Sequence, residues 1–371
     1  MKKLYLSRLI KFIALVVPIV AFVLLSQHYL FYYHEASPDR IRGFYKEEEN
    51  SLDVVLLGAS EVFTGFSPGY AYTQHGFTSY AYAIDSNPAT LFQSELKEIL
   101  SCQDPGLILV EVNGFLYTDP QPLADEVRLR IFAENIPMSL NKLETIHRFP
   151  CSDKASCLIP FIKYHSRWPD RNTLMKNLIH RLSDRNDPTR LKGIETTTSF
   201  YREDSSLIID PSRKIGTTSE KHLIQFLEYC READIQNILF INFPRHFSDE
   251  RDGFLSRVAN VEQIVKQYGY PFLNLQDHTD AMGLDLNRDF YNAHHLNIYG
   301  QRKLTAYLGE LLITQYHLSP MEQTAENAAR WEESGKYAEQ FFSYAEQCFQ
   351  EGQIIRITEE SFLEYLNTGT P

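Results

Sequence analysis

Two short stretches carry the residue types that acyl transfer needs. The first is Gly58-Ala59-Ser60, which closes the apolar run Val54-Val55-Leu56-Leu57. The second lies far downstream, at Asp289-Phe290-Tyr291-Asn292-Ala293-His294-His295-Leu296-Asn297. A serine hydroxyl attacks a carbonyl only when a base takes its proton, and the oxyanion then needs hydrogen-bond donors. Ser60 is the candidate nucleophile and His295 the candidate base. The Ser60 amide, standing at a strand end, is one oxyanion donor. Gly76 and Asn87, before and after the second expected strand, are candidates for the others. Each feature has a bland alternative. A serine after a strand is commonly a cap, and Asn297 reads as the N-cap of a following helix. Their order along one sheet is what joins them.

The elements that must position these residues alternate. Apolar, β-branched runs at 53–57, 76–84, 107–112, 237–242 and 271–275 read as buried strands. Helical spacing appears at 88–100, 222–233, 255–268 and 297–316. Strands separated by helices imply an α/β fold, a parallel sheet with helices on both faces and its chemistry at the carboxyl ends of the strands. Residues 52–320 form this domain, with an insertion at about 118–212 that loses periodicity and is placed to cover the site. Residues 321–350 look helical and carry Trp331, Tyr337, Phe341, Phe342 and Tyr344, so the tail 321–371 is expected to pack on the domain or a neighbour.

The first 35 residues read as a cytoplasmic tip and an uncleaved transmembrane signal anchor. Lys2, Lys3, Arg8 and Lys11 precede an apolar run from Phe12 to Leu25, and Tyr29, Phe31, Tyr32 and Tyr33 continue it. The strict run is short for a span, but with its aromatic continuation it reaches about 20 residues, the length of a transmembrane helix. The positive flank and the following Glu35 and Asp39 place the large domain outside the cytoplasm. Residues 36–51 then read as a polar linker. With hydrophobic residues at 43%, a full core is within reach, and a formal charge of −12 argues against nucleic acid as a partner. The cysteines form no zinc spacing. Cys151 and Cys157 can close a small loop in an oxidising compartment, while the odd total of five favours buried thiols. No metal site, phosphate-cradling loop or dinucleotide fingerprint is present, so no cofactor is expected.

At this point the chain resembles the SGNH (GDSL-type) hydrolases. Gly58-Ala59-Ser60 and the segment from Asp289 to Gly300 look like that family's first and last blocks. Gly65-Phe66-Ser67-Pro68, Ser86-Asn87-Pro88 and Tyr164-His165-Ser166-Arg167-Trp168 narrow the likeness to membrane-anchored members from Gram-positive bacteria, distantly similar to the protein that handles D-alanyl groups on lipoteichoic acid. The resemblance covers roughly residues 50–320. It implies a flavodoxin-like three-layer sandwich and an ester-cleaving or ester-forming site. The implied substrate is an acylated cell-envelope polymer or small ester, with a membrane-bound O-acyltransferase as a partner.

The family's last block places an aspartate three residues before the histidine, and here that residue is Asn292. An amide can orient an imidazole but cannot stabilise the imidazolium. In serine proteases the equivalent change lowers turnover by about four orders of magnitude. Three readings follow: Asp289 reaches the ring instead; Asn292 suffices for slow chemistry; or the protein is a non-catalytic scaffold. His165 and Arg167 can bind a phosphate or carboxylate on a polymer, or form structural contacts with Trp168. Glu111, Asn113, Arg245 and His246 follow strands and either line the crevice or cap loops. His75 and His278 read as surface groups.

Overall fold

The five apolar runs become strands, the first four buried almost throughout and the fifth, at the sheet edge, only partly. They are β1 (Val54–Gly58), β2 (Ser79–Ala83), β3 (Leu107–Glu111), β4 (Ile238–Asn242) and β5 (Phe272–Asn274). The computed structural model describes residues 2–31, 36–183, 190–197, 199–200, 210–246, 253–351, 362 and 365–366. All strand pairs are parallel, in the order β2-β1-β3-β4-β5. Leu57 lies beside Tyr82 on one side and Val110 on the other.

Val55, Leu57, Ile108, Val110 and Phe240 face one core, with Phe92, Leu96 and Phe226. Val54, Leu56, Leu109, Leu239 and Ile241 face the other, with Leu304, Leu308 and Phe341. Each such side chain contributes about 1.5–3 kcal/mol relative to exposure. Covering both faces is why the strands read as unbroken apolar runs rather than as alternation.

The helices, in chain order, begin with α1 (Lys2–Tyr29), α2 (Ala36–Phe44), α3 (Ser60–Gly65), α4 (Pro68–His75) and α5 (Ala89–Cys102). Between β3 and β4 come α6 (Glu126–Ala133), α7 (Leu140–Arg148), α8 (Lys154–Leu158), α9 (Pro160–Lys163), α10 (Arg171–Ser183) and α11 (Thr217–Glu232). Then follow α12 (Phe254–Gln267), α13 (Thr279–Met282), α14 (Ile298–Thr314) and α15 (Ala325–Gln350). The connection from β1 goes out to β2, and the next strand, β3, returns to β1's other side. The sheet therefore reverses direction between β1 and β3, which opens a crevice at their carboxyl ends.

Three expectations are corrected here. Residues 36–51 are not a free linker: α2 packs on β2, with Ile41 and Phe44 fully buried. The second strand starts later than expected, because Gly76 is the left-handed C-cap of α4 (φ 79°), its amide donating to Tyr72 O at 2.8 Å. The region read as an insertion without period is largely short helices. Residues 190–197 of this region return along the sheet edge, where the Ala81 amide donates to Lys192 O at 3.0 Å. The tail helix α15 lies along α4 so closely that a Cβ on Gly69 would sit 2.7 Å from Ser334 O. Tyr5–Tyr29, within α1, is long and apolar enough to cross a membrane and is almost wholly exposed. Tyr32, Tyr33 and Glu35 lie outside the described residues. Cys151 and Cys157 are thiols whose sulfurs lie 3.7 Å apart.

Candidate active site

β1 ends at Gly58 and the chain turns through Ala59 into α3, so Ser60 occupies the first position of a helix at the mouth of the crevice. Gly58 is required there, since a Cβ would come within 2.5 Å of Glu111 Cβ on β3. The last block forms a tight loop closed by an antiparallel bridge between Phe290 and Leu296. Tyr291 N donates to His295 O at 3.1 Å and Asn297 N to Asp289 O at 2.9 Å. Asn297 then caps α14 by accepting from the Tyr299 and Gly300 amides at 3.0 and 3.3 Å. Only glycine fits at 300, where a Cβ would lie 2.3 Å from Asp289 O.

This loop brings His295 Nε2 to 2.7 Å from Ser60 Oγ. The other ring nitrogen, Nδ1, lies 3.0 Å from Asn292 Oδ1. That same oxygen accepts the backbone amides of His294 and His295, at 2.8 and 2.9 Å. Two main-chain donors fix which end of the Asn292 amide faces the ring, since only the oxygen can accept them. Nδ1 must therefore carry the imidazole proton, leaving the Nε2 lone pair for the serine. The geometry selects the tautomer that general-base catalysis needs. Tyr291 stacks on His295 at 5.3 Å with an interplanar angle of 10°.

A buried charge network backs the pair. Glu61, next to the nucleophile, is paired with Arg245. Its second oxygen lies 3.3 Å from Ser60 Oγ and accepts from Asn113 Nδ2 at 3.2 Å. Arg245 also donates to Asn113 Oδ1 at 2.6 Å and to His294 Nδ1 at 3.0 Å, and stacks over Phe254. Burial opposes ionisation of Glu61, but Arg245 and then His295 outweigh it and hold its pKa below the usual carboxylate value. Glu111 goes the other way. Burial, reinforced by the Glu61 charge, pushes it well above that value. It accepts the Ala59 and Asn113 amides at 3.1 and 2.6 Å. Burial and pairing thus shift the two neighbouring carboxyls in opposite directions, Glu61 towards its ionised form and Glu111 towards its protonated form. Burial lowers the His295 pKa, with Glu61 pulling it back up and Arg245 pushing it down, so at neutral pH the ring is the free base. His294 is lowered to about 4, by burial first and then by Arg245.

Beside the pair opens a cleft of about 200 Å³, bounded by Thr64, Glu195, Thr196, Thr197, Ser199 and Tyr291. Its walls are mostly hydroxylated. Thr64 Oγ1 donates to Ser60 O at 2.8 Å, and Thr196 Oγ1 is buried with no hydrogen-bond partner among the described residues.

Ser60, His295 and Asn292 come together, with Glu111, Asn113 and Arg245 in the network behind them, whereas Asp289, Gly76, Asn87, His165 and Arg167 do not join them. Asp289 is fully buried with Oδ2 bound to Lys303 and to the Asp285 amide, both at 2.7 Å, so it does not hold the imidazole. Gly76 lies at the amino end of β2, the opposite edge of the sheet from Ser60, and its amide is used in the helix cap. Asn87 lies at the correct edge, but its amide donates to Gly58 O at 3.0 Å and Glu95 Oε2 at 2.8 Å, which occupies both protons. It braces the β1 end rather than facing an oxyanion. His165 Nδ1 meets Ile162 O at 2.9 Å, and Arg167 stacks on Tyr164. Trp168 packs on Phe161 and Phe31 at the end of α1. His246, after β4, packs edge-on against Phe290 beneath the loop, and its amide binds Ala293 O at 3.1 Å. Glu61 and His294 went unassigned in the sequence. Their signal was adjacency, a carboxylate next to the nucleophile and a second histidine next to the base.

A comparison with protein-family models finds no match, and a comparison with curated proteins likewise finds none. Among solved structures, the chain shows a faint likeness to a gut microbial diltiazem-metabolizing enzyme, with 13% identity and a TM-score of 0.26 over 71% of this chain. The match covers 47% of that protein, so the chain spans about half its length.

Proposed function

We propose that the chain is a membrane-anchored serine esterase or O-acyltransferase of the SGNH type, acting outside the cytoplasm on an acylated cell-envelope polymer or small ester. The observation that carries this reading is the chain Ser60 Oγ, His295 Nε2 at 2.7 Å, and Asn292 Oδ1 on Nδ1 at 3.0 Å, placed at the sheet's reversal point. The strand order with helices on both faces agrees with the flavodoxin-like sandwich of that family. The positive flank before α1 supports an extracytoplasmic domain.

In this reading His295 accepts the hydroxyl proton at Nε2 as Ser60 Oγ bonds to the acyl carbon. The oxyanion receives the Ser60 amide at the start of α3. The imidazolium that forms donates its Nδ1–H to Asn292 Oδ1, and its charge is offset through space by Glu61. Collapse expels the alcohol, which takes the proton from Nε2 and leaves an acyl-serine. Water or an acceptor hydroxyl in the cleft beside Thr196, deprotonated by His295 Nε2, then attacks the acyl carbon, and Ser60 Oγ leaves with the proton returned from Nε2. Asn292 thus supplies orientation and Glu61 supplies charge, two roles that one aspartate usually combines.

The test is hydrolysis of a small aryl acetate, and acyl release from acylated envelope polymer, by a soluble chain beginning at Ala36. Ser60→Ala is expected to lower both at least 100-fold. Equal rates in the parent and the variant would remove the enzyme reading. A second reading, a scaffold that keeps the fold and docks a membrane-bound O-acyltransferase, is favoured by the uncharged Asn292. It predicts a folded parent with no turnover and unaltered binding of that partner by Ser60→Ala.

A further inference from the structure

Where α1 leaves its apolar stretch it is held by α9 and α10. Phe161 N donates to Gln27 Oε1 at 3.3 Å, Asn177 Nδ2 to Leu30 O at 2.7 Å, and Arg181 Nε to His28 O at 3.1 Å. Between this end of α1 and the start of the domain lies a cavity of about 450 Å³. Its α1 side presents Leu24, Gln27, His28 and Phe31. Its domain side presents Arg42, which is paired with Asp39, together with Lys46, Lys142 and Arg181, and among the described residues lining it Glu134 is the one carboxylate. Glu134 is already engaged, accepting from Arg130 at 3.2 Å, Lys163 at 3.4 Å and Tyr164 at 3.0 Å.

Lys142 is the telling residue. It is 6% exposed, its ammonium donates to Ile136 O at 3.2 Å, and among the described residues it forms no ion pair. Burying an unpaired ammonium costs several kcal/mol, and an anion in the cavity offsets that cost. The position names the anion's source. A hydrocarbon core of about 30 Å takes roughly 20 residues of helix. Counted from the Lys11 end of the span, that distance brings Gln27, His28 and Phe31 to the headgroup layer.

We propose that this cavity binds the phosphate of an anionic membrane phospholipid, with Lys142 and Arg181 on the phosphate and the acyl chains along Leu24 and Phe31. The proposal rests on α1 crossing the membrane and is independent of the chemistry at Ser60. The occupied cavity would fix the domain's orientation on the bilayer surface.

The experiment uses the full chain in mild detergent, titrated with short-chain phosphatidylglycerol or phosphatidylcholine, with thermal unfolding as readout. Phosphatidylglycerol is expected to raise the midpoint by several degrees and phosphatidylcholine not to. Lys142→Met is expected to raise the lipid-free midpoint, since a buried unpaired charge is gone, and to abolish the response to phosphatidylglycerol. Arg181→Gln should weaken the response about tenfold in lipid concentration. Equal responses to both lipids, or an undiminished response in Lys142→Met, overturns the proposal. So does an equal response to glycerol phosphate alone, which would identify a soluble phosphate as the ligand. Flotation of the full chain with vesicles tests the anchor separately. A chain that fails to float loses the anchor and this proposal together, whereas a chain that floats without lipid preference loses only the proposal.

Discussion

At Ser60 the hydrogen bonds define a base with the right tautomer and a displaced counter-charge. Two variants separate these contributions. Asn292→Ala removes the acceptor that holds Nδ1–H, and a loss of at least about 100-fold in ester turnover is expected, in line with the usual weight of general-base catalysis. Asn292→Asp restores a charge beside the imidazolium and should raise turnover tenfold or more. It should also move the acid limb of the pH–rate profile upward, because a nearby carboxylate favours the protonated ring. Glu61→Gln has the opposite sign. Glu61 raises the His295 pKa against the burial that lowers it, so its removal should shift the acid limb to lower pH while turnover falls. Because that change strands Arg245, the pair Glu61→Gln with Arg245→Met is the control for folding. A limb that does not move in either background would show that Glu61 carries no charge to the imidazole.

Among the elements, α5 carries a pH-dependent load. Glu95 is fully buried, and burial raises its pKa to about 8, opposed by the hydrogen bond from Asn87. The folded state therefore binds this proton more tightly than the unfolded chain. Stability from this group is full below about pH 4.5 and declines as pH rises towards 8, by up to about 1.4 kcal/mol per unit. Glu95→Gln keeps an acceptor for Asn87 and should flatten that decline, as denaturant midpoints between pH 5 and 8 would show. Gly300→Ala tests the site loop. Its Cβ would strike Asp289 O, so a loss of more than about 2 kcal/mol and of ester turnover is expected.

The strands, α5, α11, α12 and α14 were legible because apolar periodicity is set locally, and Asn297 announced its helix through its capping chemistry. Ser60 and His295 were legible for a related reason, since each stands at an element boundary that pattern alone locates. Asn87 and Gly76 were misassigned because nothing in sequence says where an amide points or which sheet edge a glycine occupies. Of the three readings of the last block, the one that used Asp289 fails because the one-bridge loop turns its carboxylate towards Lys303. Glu61 and Arg245 are 184 positions apart, and their pairing exists only once β1 and β4 share a sheet.

For the molecule as a whole, the start of the domain lies earlier than its polar composition suggests. Ile41, Phe44 and Glu47 are buried, and Glu47 pairs with the equally buried Lys192 at 2.8 Å. Lys192 in turn stands over Trp331 of α15. One strut therefore links α2, the segment lying beside β2 and the tail. A soluble chain beginning at Ala36 should unfold in a single cooperative transition. One beginning at Leu52 leaves Lys192 buried without its partner and should be unfolded or aggregated, as circular dichroism and size exclusion would show.

The central claim is that Ser60 is an activated nucleophile, and the most direct measurement is covalent labelling of the Ala36–Pro371 chain by a fluorophosphonate probe. The account predicts labelling of the parent, none in Ser60→Ala, and loss of most labelling in both His295→Ala and Asn292→Ala. A folded parent that never labels, or labelling that persists in Ser60→Ala, would contradict it.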